Sequence, residues 1–233
     1  MHFDLYPDRE AVLDYIEEKR SYTIAVTNLP AVYERYVGKY DKLKYTRIAL
    51  GYHPELVTQY PDQMNKFERL LDSTRYIGEI WLDYSIGDMV AREKQFTIFQ
   101  EVVEKCAGKG KILSIHSRRA VSDVLRALEG FDGKVILHWY SGSIRDIETA
   151  LGRGYYFSIN QQMISSRSGQ VIIRRLPADR VLLESDAPFT KGMEKKYSVS
   201  FNDVVFEYLA HEWGVDIETA KKRVKANFAE MLR

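Results

Sequence analysis

The stretch YIGEIWLDY, Tyr76 to Tyr84, sets an acid, Glu79, inside a run of strand-forming residues, where ionisation is unfavourable without a partner. Three other segments have the same shape: KILSIHSR (111–118), KVILHWYSG (134–142) and RVLLESDAP (180–188). Each is an apolar strand whose end carries a side chain able to bind metal, namely His116, His138 and Asp186. Outward from these four lie TIAVTNLP (23–30), TRIALGYHP (46–54) and YYFSIN (155–160), which makes seven candidate strands.

Between the strands the apolar spacing turns helical. Asp8 is placed to cap a helix carrying Ala11, Val12, Tyr15 and Ile16, and further helices are expected over 31–43, from Pro61 onward, over 92–106, 118–129, 143–152, 168–176, 199–213 and 216–232. Strands that are almost continuously apolar are buried on both faces, so the alternation predicts a parallel sheet. Polar residues at the C-terminal ends of four separate strands favour a TIM-type (β/α)8 barrel over an open sheet, whose polar residues would gather at one switch point. The segment before Pro7 leaves little room for a first strand, so strand one is expected to be largely truncated.

The chain has 233 residues, a size compatible with one barrel domain over 1–233, and no linker, repeat or low-complexity segment divides it. With 45% hydrophobic and 29% charged residues the composition is that of a globular protein with a real core. The net charge of +1 gives no general affinity for polyanions, so DNA would require a local basic patch; Arg118, Arg119, Arg145, Lys191, Lys195 and Lys196 are the candidates. A single cysteine, Cys106, excludes an internal disulfide framework and a multi-thiolate zinc site. Apolar runs fall short of the roughly 20 residues of a membrane span, no signal peptide is evident, and a cytoplasmic location is expected.

Each polar strand end also has a plain structural reading. Glu79 could pair with a buried arginine, His116 or His138 could be a hydrogen-bonded core histidine, and Asp186 could turn the chain before Ala187-Pro188. Taken together the four point to a metal centre. Imidazole and carboxylate without thiolate suit Zn²⁺, Mn²⁺ or Fe rather than Ca²⁺, and a carboxylate can bridge two ions. His211 reads as a surface residue and Cys106 as core; Trp139 and Tyr140 could stack on a base or fill space beside the site.

In order and spacing, GYHP, YIGEIWLDY, IHSR, HWYSG, ESDAP and the late NFAEML resemble the TatD-type metal-dependent deoxyribonucleases of the amidohydrolase superfamily, from His2 to the C-terminus. HFDLYP and TNLP resemble, more particularly, the TatD-like subunits of the Qat anti-phage defence system, which implies other defence-system proteins as partners. The resemblance implies hydrolysis of DNA phosphodiester bonds, as a 3′-to-5′ exonuclease on single strands or DNA ends, with one or two divalent ions (Zn²⁺, Mn²⁺ or Mg²⁺). It implies Glu79 as the bridging carboxylate, His116 and His138 on one metal, and His2 and Asp186 on the other. Asp186 would also orient or deprotonate water, His53 and Arg118 would meet the substrate phosphate, and Glu184 would steady the site. The alternatives are a hydrolase of a small ester, amide or lactone, and a catalytically impaired scaffold subunit.

One departure from the resemblance stands out. Such chains open with two histidines one residue apart, and here only the second, His2, is present. Either residues upstream of Met1 complete the pair, which is the expectation, or one ligand has been lost.

Overall fold

A computed structural model describes residues 1–53, 56, 63–85 and 88–233. Its centre is a parallel sheet of seven strands in unbroken sequential order: β1 (Thr23–Val26), β2 (Thr46–Tyr52), β3 (Tyr76–Trp81), β4 (Ile112–His116), β5 (Lys134–His138), β6 (Tyr156–Ile159) and β7 (Val181–Leu183). All seven coincide with the strands expected from the sequence. Consecutive order with a helix after each strand curls the sheet into a barrel with every strand's C-terminal end on one rim. β6 is buried along its whole length and β5 at all but its first residue, as strands covered on both faces must be.

The barrel does not close by strand pairing: among the described residues β1 and β7 are the two ends of the sheet. Among the described residues, Met1 and His2 link them through backbone hydrogen bonds at the rim. The Met1 carbonyl accepts from the Val26 N–H at 3.0 Å, and the His2 N–H donates to the Ala187 carbonyl at 2.8 Å. Below them a void of roughly 300 Å³ runs between β1 and β7 from Tyr22 and Ile24 up to Glu79 and Asp186.

The helices are α1 (Arg9–Glu18), α2 (Pro30–Tyr33), α3 (Gln63–Leu70), α4 (Met89–Cys106), α5 (Val121–Ala127), α6 (Ile144–Gly152), α7 (Gln161–Ser165), α8 (Arg167–Ile173), α9 (Phe201–Trp213) and α10 (Ile217–Met231). Asp8 caps α1 by accepting from the Ala11 N–H, as expected. Asp88 does the same for α4, which starts at Met89 rather than at 92. α10 closes the lower end of the barrel: Met231 is fully buried beside Ile112, Ile136, Tyr156 and Leu182. The Asn227 amide anchors that helix by donating to the carbonyls of Ala178 and Val181.

One expectation needs correction. The helix over 31–43 is one turn, Pro30–Tyr33, followed by turns closed by i to i+3 hydrogen bonds such as Tyr36 to Tyr33. Gly38 lies there at φ +78, left-handed backbone that ends a helix. The helix expected near 168–176 is present as α8, Arg167–Ile173, but it is preceded by one the spacing did not show, α7, which has its own cap, the Asn160 side chain accepting from the Met163 N–H. Pro54 and Pro61 lie outside the described residues, so of the helix expected from Pro61 the structure shows Gln63–Leu70.

Candidate metal centre

Glu79 reaches the centre of the rim because β1 and β3 meet there. The Thr27 N–H donates to the Gly78 carbonyl, and the Glu79 N–H donates to the Thr27 carbonyl at 2.9 Å. The approach works only because Gly51 of β2 has no side chain: a Cβ there would stand 1.5 Å from the Thr27 oxygen. The Glu79 side chain is therefore fixed from behind and 2% exposed.

Four side chains converge on it. His116 Nδ1 lies 3.3 Å and His138 Nε2 3.5 Å from Glu79 Oε1, while His2 Nε2 lies 3.0 Å from Glu79 Oε2. Asp186 Oδ1 is 3.7 Å from His2 Nε2 and 3.6 Å from His138 Nε2. The donor atoms fall into two groups, Glu79/His116/His138 and His2/Glu79/Asp186, each with all members within 4.8 Å of one another. Glu79 is common to both, so the arrangement accommodates one ion or two with a carboxylate between them. Asp186 takes its place at φ +47, a backbone conformation uncommon for a non-glycine residue and one that Asp tolerates better than most.

The donor set fits a divalent cation. Glu79 Oε1 is buried without an in-line hydrogen-bond donor although two imidazole nitrogens face it, an arrangement suited to a shared cation. Burial pushes the Glu79 carboxyl up, but the charge of His138 and the close polar contacts of His116 and His2 outweigh it and hold the carboxyl well below its usual range. Burial pulls His138 down, yet the charges of Glu184, Glu79 and Asp186 raise it to about 10. Asp186 is raised, chiefly by burial. A negative pocket that clings to protons when bare is one that a metal ion neutralises.

Both ligand-type histidines on the first group have their outer nitrogen taken by a carboxylate. His138 Nδ1 donates to Glu184, which also accepts from the Ser158 hydroxyl and, at 2.9 Å, from the Asn160 amide. His116 Nε2 faces Asp83 Oδ2 at 3.3 Å, and Asp83 in turn accepts from the Ser85 N–H at 2.8 Å. Such partners fix the ring and the tautomer that aims the other nitrogen inward. Glu184 was expected from the sequence. Asp83 was not, although it too is an acid at a strand end, inside the opening YIGEIWLDY stretch.

Trp81 was missed as well. Its ring stacks on His116 with centroids 4.3 Å apart and an interplanar angle of 18°, and His53 lies on its other side at 3.8 Å. His53 belongs to neither metal group, and burial pulls its pKa down to about 4, so it meets the site as a neutral ring. Arg118, Arg119, Arg145, Lys191, Lys195 and Lys196 are all exposed. Tyr140 is buried against Phe157 and fills space, which removes it as a base platform; Trp139 is half-buried at the rim. Cys106 is buried and its thiol is pushed up to about 12, while His211 is a surface residue. No helix among the described residues is long and apolar enough to cross a membrane.

The chain is similar to known proteins over most of its length. The human deoxyribonuclease TATDN3 is 25% identical over 236 residues, which cover 91% of this chain and 85% of that protein. A TATDN1 homolog of Encephalitozoon cuniculi is 25% identical over 173 residues, 74% of this chain and 60% of that protein, so the chain spans about three fifths of its length. The crystal structure of YJJV, a TatD homolog from Escherichia coli, superimposes with a TM-score of 0.83 at 21% identity, covering 97% of this chain and 93% of that one. The profile of the TatD related DNase family matches residues 1–233, and the chain belongs to that family.

Proposed function

We propose that this chain is a metal-dependent deoxyribonuclease that hydrolyses phosphodiester bonds, removing nucleotides from the 3′ end of single-stranded DNA or from DNA ends. The observation that carries the reading is Glu79, buried at the point where two three-membered donor groups share one carboxylate. His116 and His138 would hold one ion, His2 and Asp186 a second, and Glu79 both. A bound divalent ion supplies Lewis-acid activation of water and neutralises charge on the phosphate. Asp186, raised by burial, is placed to accept the proton of the attacking water at its carboxylate. Neutral His53 and the exposed Arg118 guanidinium are suited to holding the phosphate, the latter through its fork of donors. The likeness of HFDLYP and TNLP to Qat subunits extends the proposal to work beside other anti-phage defence proteins.

The test is release of nucleotides from end-labelled single-stranded DNA by chain loaded with Zn²⁺, Mn²⁺ or Mg²⁺, alongside metal content per chain. Metal-dependent release from the 3′ end is expected. Glu79→Gln is expected to fold and to lose most of its bound metal and nearly all activity. Turnover of a small ester with none of DNA would overturn the nuclease reading, and metal retained at the parent level in Glu79→Gln would remove Glu79 from the ligand set.

A further inference from the structure

We propose that Phe189 is the platform on which an unpaired nucleobase stacks beside the metal centre, an inference that rests on the nuclease reading above. Phe189 is 56% exposed, although Ala187 before it and Thr190 after it are both fully buried. The segment is pinned on both sides of the ring. The Phe189 N–H donates to the Asp186 carbonyl at 2.8 Å, the Thr190 hydroxyl donates to the Ser185 carbonyl, and the Met193 N–H donates to the Thr190 carbonyl at 3.0 Å. The Tyr6 hydroxyl then ties the Met193 carbonyl to the opening segment. A large apolar ring is thus held out in water by a backbone that has little freedom to bury it.

Its position gives that exposure a use. The Phe189 ring stands edge-on to His2, with centroids 5.3 Å apart, and His2 Nε2 is within 3.7 Å of both Glu79 and Asp186. A phosphodiester at the metal centre therefore brings a flanking base within reach of the free part of the ring. Aromatic stacking accepts any base, because every base has a π-face, but it requires that the base be out of a duplex. Lys191, Lys195 and Lys196 are exposed on the same loop, supplying charge for the backbone of a strand laid across it. An aliphatic residue at 189 would suit a plain hydrophobic contact; a flat ring in a fixed segment suits a flat ligand.

The experiment uses the metal-loaded full chain and single-stranded oligonucleotides that are intact or carry an abasic analogue at the nucleotide on one or the other side of the scissile phosphate. KM and kcat are measured for the parent, Phe189→Tyr, Phe189→Trp and Phe189→Leu, with metal per chain and melting temperature for each. For the parent, KM is expected to rise about tenfold on one of the two abasic substrates. Phe189→Leu is expected to show that raised KM on intact DNA and no further penalty for the missing base, while the Tyr and Trp variants behave as the parent. The proposal is overturned if Phe189→Leu matches the parent on intact DNA or still suffers the full abasic penalty. It is equally overturned if Phe189→Leu loses metal without losing base discrimination, which would assign the ring to supporting His2. A parent that releases nothing from any DNA defeats the nuclease reading itself, an outcome distinct from these.

Discussion

Asp83 holds the outer nitrogen of His116 while itself being held by the Ser85 N–H, so a strand-end acid with no inward role still decides where a ligand points. Burial pushes its carboxyl up, but the hydrogen bonds from His116 and Ser85 prevail and bring it to about 2, so it is an anion whenever the protein is folded near neutrality. Asp83→Ala frees the His116 ring to turn, and metal affinity is expected to fall by about 10- to 100-fold. Competition with a chromophoric chelator measures this. An unchanged affinity would make the Asp83 contact incidental. At this scale the sequence showed which residue types stand at strand ends but not which nitrogen of a histidine faces which partner. Glu79, His116, His138 and Asp186 were legible because each interrupts an apolar run. Asp83 and Trp81 were not, since their parts depend on ring orientation across β3 and β4. Nor was Phe189, whose apolar letter reads as core until the buried Ala187 and Thr190 on either side are seen to leave it outside.

Elements were easier to read than residues wherever burial alone shapes the pattern. The seven strands were evident because two covered faces leave no room for polar residues except at the rim. The stretch 31–43 has helical spacing too, but Gly38 and local turn bonds take it elsewhere, a competition that spacing does not record. The link that follows it is built on one acid of α1. Glu17 accepts from the N–H groups of Lys44 and Tyr45 and from the Thr46 hydroxyl, tying α1 to the start of β2. Burial raises its carboxyl, but these hydrogen bonds together overcome that and lower it. The folded state therefore prefers the carboxylate, and its contribution is present above the unfolded pKa of roughly 4.3 and lost as pH falls through the lower folded value. Glu17→Ala is expected to destabilise the fold by about 2 kcal/mol at neutral pH. The deficit should shrink towards zero in acid, as read from urea unfolding at a series of pH values. A deficit independent of pH would mean that packing, and not the charged hydrogen bonds, is what Glu17 contributes.

For the whole molecule the governing feature is the seam between β1 and β7. Edge strands that face each other across a gap leave backbone donors and acceptors without sheet partners, and a barrel removes that liability only by closing. Here Met1 and His2 link the two edges at the rim, where His2 is needed, and a void of roughly 300 Å³ lies beneath them. The polypeptide enters the seam at its mouth, because Met1 is hydrogen-bonded to Val26 of β1 while His2 reaches Ala187 beyond β7. Residues joined ahead of Met1 would run down between the two edges, parallel to both. Five alternating valines and threonines placed there have the pattern of a strand with one face inward. The expected result is a melting temperature raised by roughly 4 °C or more, which for a chain of this size corresponds to about 1–2 kcal/mol. A Gly-Ser extension of the same length, unable to pack the void, should leave it unchanged. Occupancy at the His2 side should rise with the strand and not with the Gly-Ser control, because fixing Met1 from below also fixes the ring of His2 above it. Equal melting for the two extensions would show that the seam does not accept a strand.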